Sequence, residues 1–238
     1  MAKILITGTS RGIGAAIAAS FNDHQVLVLG HRSRASGSQP WPEIAADLSE
    51  PGAAERLWNQ ALEASDQRID VLVNNAGVFE ANPLDGDHEA WLAGWERTMR
   101  VNLTASAELS RLAVLHWQAT GGGRLVNVAS RAAYRGDSPA HWHYAASKAG
   151  MVAMTKTIAR AYAAQGILAF AVCPGFTMTG MAEDYLASRG GDKLLADIPL
   201  GRVAEPAEVA DIVRFLALEA PASMTGAVVD VNGASYVR

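Results

Sequence analysis

The sequence predicts an α/β fold, a doubly wound and mostly parallel sheet with helices on both of its faces. Short β-branched runs alternate with longer segments of helical periodicity, which is the pattern of repeated βαβ units. Most of these runs are apolar at consecutive positions, as strands are when helices cover both sides of a sheet. The predicted strands are Ile4–Thr7, Val26–Leu29, Val71–Val73, Leu125–Val128, Leu168–Cys173 and Val228–Val231.

The segments between these runs predict the helices and the domain organisation. Ser49 and Glu205, each followed closely by a proline, look like helix starts because proline suits the first turn of a helix. A polar, Gly/Pro-rich segment at 33–42 lies where a crossover helix is usual, so we expect that helix to be missing. No long linker or internal repeat divides the 238 residues, and we expect one domain over 1–238. Helical periodicity covers 88–118, 143–165 and 206–219.

Charge and composition exclude several classes of protein. Lys and Arg total 20 against 24 Asp and Glu, and a net charge of -4 gives no attraction to nucleic acid or anionic lipid. No apolar stretch reaches the ~18–20 residues of a membrane span, and the first residues lack a signal-peptide layout, so we expect a cytoplasmic protein. Cys173 is the only cysteine and lies in an apolar run, where a buried, unreactive thiol is the default.

A glycine-rich turn joins the first predicted strand to an alanine-rich helix. Its spacing is Gly8-x3-Gly12-x-Gly14. Glycines let the backbone come close to a pyrophosphate, while free N–H groups and the helix dipole receive the negative charge. Taken alone, the motif also fits a tight βα connection without a ligand.

Residues after the second strand bear on which nucleotide such a turn would hold. A carboxylate at that strand end would accept a hydrogen bond from a free ribose 2′-hydroxyl and repel a 2′-phosphate. No acid follows this strand directly; Arg32 and Arg34 do, and Arg11 lies in the glycine turn. Guanidinium groups pair with phosphate, which favours NADP(H) over NAD(H). The alternative is that Arg32 and Arg34 are solvated loop charges.

Tyr144 and Lys148 stand four residues apart, so they share one face of a helix. A neighbouring cation favours the phenolate, and a fall of about three units in the tyrosine pKa would need roughly 4 kcal/mol. Without further context, a packed ring beside a snorkelling lysine stem is the alternative.

Together with other motifs along the chain, these residues resemble the short-chain dehydrogenase/reductase family. Asn74-Asn75-Ala76-Gly77 follows the predicted strand Val71–Val73, Ser130 closes the strand Leu125–Val128, and Pro174-Gly175 ends the strand Leu168–Cys173. The resemblance implies a seven-stranded Rossmann fold. Three stretches near the C-terminus resemble the branch of 3-oxoacyl-[acyl-carrier-protein] reductases in particular. They are Pro199-Leu200-Gly201-Arg202, Glu205-Pro206-Ala207-Glu208-Val209-Ala210 and Asp230-Val231-Asn232-Gly233.

The resemblance also implies a catalytic group. Tyr144 would exchange a proton with the substrate oxygen, and Ser130 would hydrogen-bond that oxygen. Lys148 would bind the nicotinamide ribose and lower the pKa of Tyr144, while Asn102 would hold a water that connects Lys148 to solvent. For Asn102 the alternative is a helix-bending polar residue that binds backbone.

The implied cofactor-binding set comes from the glycine turn and from the ends of several strands. Asp47 in this set also suits a helix cap, as does Thr179. The set is Gly8, Ser10, Arg11, Gly12, Ile13, Gly14, Arg32, Asp47, Leu48, Asn75, Ala76, Gly77, Tyr144, Lys148, Pro174, Gly175, Thr177 and Thr179.

Two segments are expected to border the substrate. Tyr144 follows Ser130 by 14 positions, one more than the family pattern, and the longer loop holds His141 and Trp142. His141 and His143 lack a third donor nearby in sequence, so we expect substrate or surface histidines and no metal. Residues 180–197 look like a substrate lid or an ordinary surface helical hairpin. The implied substrate residues are Ser130, Tyr144, His141, Trp142, Met181 and Tyr185.

We therefore expect an NADPH-dependent oxidoreductase whose leading substrate class is a 3-oxoacyl thioester, with acyl carrier protein as a possible partner. An alcohol, sugar, diol or small-ketone dehydrogenase of the same family is the alternative, and a non-catalytic NADP-binding sensor or scaffold is a third. The resemblance implies a homotetramer that pairs the helices of 88–118 and 143–165. A basic patch for the carrier would draw on Arg131, Arg135, Arg189, Lys193 and Arg202.

Overall fold

The computed structural model describes residues 1–21, 26–34, 39–178 and 195–238. Seven strands form one sheet in the order β3-β2-β1-β4-β5-β6-β7, and every neighbouring pair is parallel. The Rossmann-type doubly wound sheet that the sequence predicts is confirmed. The strands are β1 (Ala2–Thr7), β2 (Val26–Arg32), β3 (Glu43–Ala45), β4 (Val71–Asn74), β5 (Gly123–Val128), β6 (Ile167–Pro174) and β7 (Val228–Val231).

Helices connect the strands in the described part of the chain. A π-helical turn at Arg100–Thr104 joins α3 to α4, so the predicted helix of 88–118 is two helices with a widened turn between them. Two 3₁₀ turns lie at Ala163–Gln165 and Ala222–Met224. The α-helices are α1 (Gly12–Ala19), α2 (Ala53–Glu63), α3 (His88–Met99), α4 (Ala105–Thr120), α5 (Ala132–Arg135), α6 (Trp142–Tyr162) and α7 (Pro206–Leu218).

The sheet separates two cores, which explains why its strands are apolar at consecutive positions. In β1, Leu5 packs into a core shared with α2, α4 and α6, whereas Ile4 and Ile6 pack into a core shared with α1 and α7. Trp117 of α4 is fully buried in the first core, and its indole Nε1 donates to the Ile69 carbonyl at 2.7 Å. The ends of the parallel strands thus carry their loops to one edge between the two helical layers.

One predicted helix start is confirmed and one is wrong. Glu205 caps α7 in a reciprocal pair with Glu208, and Pro206 is the first helical residue. The helix expected to begin at Ser49 begins only at Ala53, because a turn comes first and the residue before the helix, Gly52, has φ +73°.

The segment between β2 and β3 has no helix among its described residues, 33–34 and 39–42, as the sequence predicts. Trp41 is buried there, and a Cβ on Gly30 of β2 would lie only 2.5 Å from the Trp41 Nε1. Indole packing on a glycine strand position thus covers part of the surface that a crossover helix would have covered. Within the described ranges, no helix is long and apolar enough to cross a membrane.

Candidate active site

The glycine turn lies where β1 ends and α1 begins. Gly8 has φ +75° and Gly12 has φ +57°, a region that side chains disfavour. A Cβ on Gly14 would lie 2.0 Å from the Gly8 carbonyl oxygen, so α1 starts in close contact with the turn. Ser10 and Arg11 are exposed beside it, and Ile13 is partly buried against the core of α1 and α7.

Thr7 and Asn75 tie this turn to the end of β4. The Thr7 Oγ1 accepts from the backbone N–H groups of Asn75 and Ala76, each at 3.0 Å. The Asn75 Nδ2 donates to the carbonyls of Thr7 and Gly8 at 3.0 and 3.1 Å. The side chain of Asn75, predicted as a cofactor residue, therefore positions the turn. Sequence reasoning missed the role of Thr7, although a hydroxyl at the last strand residue was a usable signal.

His31 holds the same turn from the side of β2, a role that no sequence motif indicates. Its Nδ1 accepts from the Gly8 N–H at 3.2 Å, and its Nε2 lies 2.9 Å from the Ala46 carbonyl. These partners assign a neutral ring with the proton on Nε2. Burial lowers the pKa of His31, which favours this neutral form.

Glu43, which is not among the predicted site residues, forms an ion pair with Arg32. Because β3 pairs in parallel with β2, the Glu43 carboxylate comes within 2.7 Å of the Arg32 Nη1. The Glu43 side chain is 5% exposed and that of Arg32 is 17% exposed. Arg32 therefore belongs to an ion pair and is not a solvated loop charge, whereas Arg34 and Arg11 are exposed.

Asp47 and Leu48, predicted as cofactor residues, lie after β3. The Asp47 Oδ1 accepts from the Ser49 N–H at 2.9 Å and from the Ser49 hydroxyl at 2.6 Å, and these bonds lower the pKa of Asp47. Asp47 thus stabilises the turn that precedes α2. Leu48 is buried in the core under α2.

The predicted catalytic residues come together beside this edge of the sheet. Ser130 lies just beyond β5, and Tyr144 and Lys148 lie on the first turns of α6. The Tyr144 phenol hydrogen-bonds with the Ser130 side chain. The Lys148 Nζ donates to the Val128 carbonyl at 2.9 Å and stands 5.8 Å from the centroid of the Tyr144 ring.

The pKa of Tyr144 shifts in the direction opposite to the sequence-based expectation. Burial raises it to about 12, and the hydrogen bond with Ser130 offsets only part of this effect. Burial also lowers the pKa of Lys148 to about 8. Lys148 is buried and its ammonium is directed at the Val128 carbonyl, so the expected lowering of the tyrosine pKa is absent. In this geometry Tyr144 is a protonated phenol at neutral pH, able to donate.

Asn102 lies in the π-helical turn and is fully buried. Its side-chain amide pairs with the backbone of Val78, accepting from the N–H at 2.8 Å and donating to the carbonyl at 3.0 Å. It also donates to the Ser147 hydroxyl at 3.3 Å, which connects it to α6. The amide thus binds backbone at a distorted helix, which is the alternative that the sequence left open.

Aromatic side chains line the approach to Tyr144. Phe79, which sequence reasoning missed, stacks on His141 with ring centroids 3.9 Å apart and meets the Tyr144 ring edge-on at 4.8 Å. The His141 Nδ1 lies 2.6 Å from the Ser138 hydroxyl. Trp142 is 54% exposed, and His143 is buried against α3. No group of three metal-ligating side chains occurs in the part of the chain that the structure describes.

The turn after β6 contributes the last predicted residues. Gly175 packs so closely on Asn232 that a Cβ would lie 2.9 Å from its Cα. Thr177 is buried, forms a parallel bridge with Ala204 and donates its hydroxyl to the Gly175 carbonyl at 3.3 Å. Thr179, Met181 and Tyr185 lie outside the described residues, as does the predicted lid apart from 195–197.

The basic residues proposed for a carrier patch have acidic neighbours where the structure describes them. Arg135 pairs with Asp197 at 2.7 Å, and Arg202 makes two bonds with Glu208. Arg189 and Lys193 lie outside the described residues.

Comparisons with known proteins agree with this geometry. A family model described as enoyl-(acyl carrier protein) reductase matches residues 8–234. The 3-oxoacyl-[acyl-carrier-protein] reductase of Vibrio cholerae is 34% identical over 98% of this chain and 96% of that protein. The cis-4-hydroxycyclohexanecarboxylate dehydrogenase of Sinomonas cyclohexanicum is 32% identical over 96% of this chain and 94% of that protein.

A solved structure extends the likeness to three dimensions. Ligand-free aldohexose dehydrogenase of Thermoplasma acidophilum superposes with a TM-score of 0.88 and 27% identity, covering 100% of this chain and 94% of that one. The match of a family model to nearly the whole chain, with the sheet order described above, leads to one assignment. This chain is an oxidoreductase of the short-chain dehydrogenase/reductase family.

Proposed function

We propose that this protein is an NADPH-dependent reductase whose substrate is a 3-oxoacyl thioester carried by acyl carrier protein. The observation that carries the proposal is the partly buried Tyr144 phenol, which hydrogen-bonds with Ser130 and, with a pKa raised to about 12, holds its proton at neutral pH. Reduction of a carbonyl needs a proton donor at the carbonyl oxygen, and a phenol in this state is that donor. The thioester rests on the relatives that are named 3-oxoacyl-[acyl-carrier-protein] reductases at 31–34% identity.

The residues present fit a dinucleotide cofactor. Side chains at Gly8 and Gly14 would clash with neighbouring backbone, and Gly12 has φ +57°, so only glycines allow this tight turn at the start of α1, where N–H groups can receive a pyrophosphate. At the other end, a Cβ on exposed Gly77 would come within 3.3 Å of the Asn102 Oδ1 and 3.5 Å of the Lys148 Nζ, so the glycine keeps the approach to Lys148 open. Bound there, the nicotinamide supplies the hydride for the carbonyl carbon.

The chain's own residues would then handle the oxygen and its proton. Tyr144 donates a proton to the carbonyl oxygen, and Ser130 holds that oxygen by a second hydrogen bond. Lys148 would hold a ribose hydroxyl with the donor that the Val128 carbonyl and the Met151 Sδ leave unused. Asn102 fixes the backbone around Val78, and through Ser147 it is connected to the helix that carries Tyr144.

The preference for NADPH rests on Arg32, with Arg11 in the glycine turn and Arg34 after β2, both exposed. Glu43 opposes this preference, because its carboxylate neutralises part of the Arg32 charge. We expect Arg32→Ala to weaken the binding of NADPH far more than the binding of NADH. An equal effect on both cofactors would contradict the assignment of Arg32 to the 2′-phosphate.

Reduction of a cyclic ketone, or oxidation of the corresponding alcohol, is the second candidate function. The stack of Phe79 on His141 beside Tyr144 offers a flat apolar wall suited to a ring. Two of the similar proteins carry the names of cyclic hydroxyacid and aldohexose dehydrogenases. As the family resemblance implies, we further propose a homotetramer, which light scattering tests.

The experiment that tests the proposed function follows NADPH and NADH oxidation at 340 nm. One arm uses an acetoacetyl thioester, and the other uses small ketones, diketones and cyclic ketones. We expect turnover of the thioester with NADPH and its loss in Tyr144→Phe, with NADPH binding retained. Turnover of the small carbonyls alone would reject the thioester as the substrate class in favour of small carbonyl compounds. If neither wild type nor Tyr144→Phe turned over any substrate, the proposal of an enzymatic function would be overturned.

A further inference from the structure

A buried cation follows the catalytic serine directly. Arg131 is 8% exposed, and its backbone N–H donates to the Pro174 carbonyl at 2.9 Å. Its guanidinium lies over the ring of Phe176, with Cζ 4.7 Å from the ring centroid. The cation therefore lies between the end of β5, which carries Ser130, and the turn that follows β6.

This guanidinium is not fully paired. Its Nη1 is buried and makes no hydrogen bond with any described residue. The nearest carboxylate oxygen, Oδ2 of Asp197, is 3.7 Å away, which is beyond hydrogen-bond distance. That same oxygen accepts from the Arg135 Nη1 at 2.7 Å. Asp197 is thus hydrogen-bonded by Arg135 and is only an ion-pair neighbour of Arg131, whose Nη1 donates to none of the residues that the structure describes.

A buried, incompletely paired guanidinium is costly to the folded protein, and such groups are found where a ligand completes them. Burial lowers the pKa of Arg131, in line with its loss of solvent. A packed arginine that served only the core would be expected to satisfy its donors within the protein. The fork of N–H groups on a guanidinium matches the paired oxygens of a carboxylate, as it also matches those of a phosphate.

We propose that Arg131 is a specificity-determining residue that binds a carboxylate of the substrate, so that the preferred substrates are oxo acids. The class includes free oxo carboxylic acids and acyl thioesters whose chain ends in a carboxylate. This inference rests on the proposed carbonyl reduction at Tyr144 and adds a second anchor beside Ser130. The ring of Phe176 forms one wall of the anion site.

The test uses pairs of substrates that differ only in charge. One pair is 4-oxocyclohexanecarboxylate and its methyl ester, and the other is 4-oxopentanoate and its methyl ester. In wild type we expect kcat/KM to favour each acid by about 30-fold or more, as expected for a buried charge pair. In Arg131→Gln we expect that ratio to fall close to one, mainly through KM of the acid.

Arg135→Gln is the matched control, because Arg135 shares the same aspartate but is more exposed. If Arg131 acts only by holding Asp197, then Arg135→Gln and Asp197→Asn will lower the acid-to-ester ratio as much as Arg131→Gln, and the proposal is overturned. An acid-to-ester ratio of kcat/KM near one in wild type overturns the proposal as well. If wild type still reduces the esters in that case, the proposed function is unaffected.

A binding measurement keeps the two proposals distinguishable if no ketone is reduced. Titration calorimetry of the NADPH-loaded protein with cyclohexanecarboxylate and with cyclohexanecarboxamide reports the anion site without turnover. Binding of the acid alone, lost in Arg131→Gln and kept in Arg135→Gln, supports the site even where the proposed reduction fails. Absence of acid binding to wild type refutes it. Thermal melting of each variant shows whether the comparison is made on folded protein.

Discussion

Raising the pH from 7 to 9 should switch off the proposed reduction through Lys148. Burial lowers the pKa of this lysine to about 8. The protonated fraction then falls from about nine-tenths at pH 7 to about one-tenth at pH 9, a loss of roughly tenfold. Tyr144, with its pKa raised to about 12, stays protonated throughout this range. The alkaline limb of the rate profile therefore belongs to the lysine and not to the proton donor.

The assay is kcat/KM for a ketone without ionisable groups, measured with NADPH between pH 6 and 10. We expect a plateau below pH 7 and a slope of −1 above about pH 8, because only the ammonium keeps a donor for the ribose besides those directed at the Val128 carbonyl and the Met151 Sδ. In Lys148→Arg the guanidinium does not titrate in this range, so its residual activity should show no such limb. A limb that persists in Lys148→Arg, or a wild-type profile flat to pH 10, would refute the reasoning.

Four further predictions concern the buried charges and the glycine turn. Lys148→Met should abolish turnover. It should also raise the free energy of unfolding at pH 7 by up to about 3 kcal/mol, because the pKa of the lysine falls from 10.5 to about 8 on folding. A lower stability of Lys148→Met in calorimetry contradicts this prediction. Gly14→Ala would place a Cβ 2.0 Å from the Gly8 carbonyl oxygen and should abolish NADPH binding by fluorescence titration, and unchanged affinity would show that the turn is not used. Glu43→Gln should improve the NADPH-to-NADH ratio of kcat/KM by roughly tenfold, equivalent to about 1.4 kcal/mol, and a fall in that ratio argues against the charge model. His31 has a lowered pKa, so its contribution to stability is complete above pH 6.5 and is lost as the pH falls through the pKa of the folded state. Urea unfolding should therefore give a lower free energy of unfolding at pH 5 than at pH 7.5, and this difference should be smaller in His31→Asn.

The parts of the site that the sequence predicts are those that depend on local spacing. Tyr144 and Lys148 share a helix face because they are four residues apart, and Ser130 reaches them because it lies just beyond the central strand β5. The glycine turn follows in the same way from the steric freedom of Gly8 and Gly12. Each inference needs only one element and its end.

The features that the sequence does not predict depend on packing between distant segments. Phe79 reaches Tyr144 because the loop after β4 crosses the start of α6, and no periodicity marks that contact. The rise in the tyrosine pKa has the same origin, since burial outweighs the hydrogen bond with Ser130. A sequence motif predicts which residues lie near the phenol, but it does not predict how strongly they exclude water from it.

Cofactor choice shows how far a register between strands can change a conclusion drawn from a motif. No acid follows β2 in sequence, and by that rule Arg32 favours a 2′-phosphate. The three-residue strand β3 carries no apolar alternation, yet its parallel pairing brings Glu43 within 2.7 Å of that arginine. The charge offered to the ribose is then set by the pair and not by Arg32 alone. Arg32→Ala and Glu43→Gln should therefore move the NADPH-to-NADH ratio in opposite directions, whereas two residues acting only on stability would leave it unchanged.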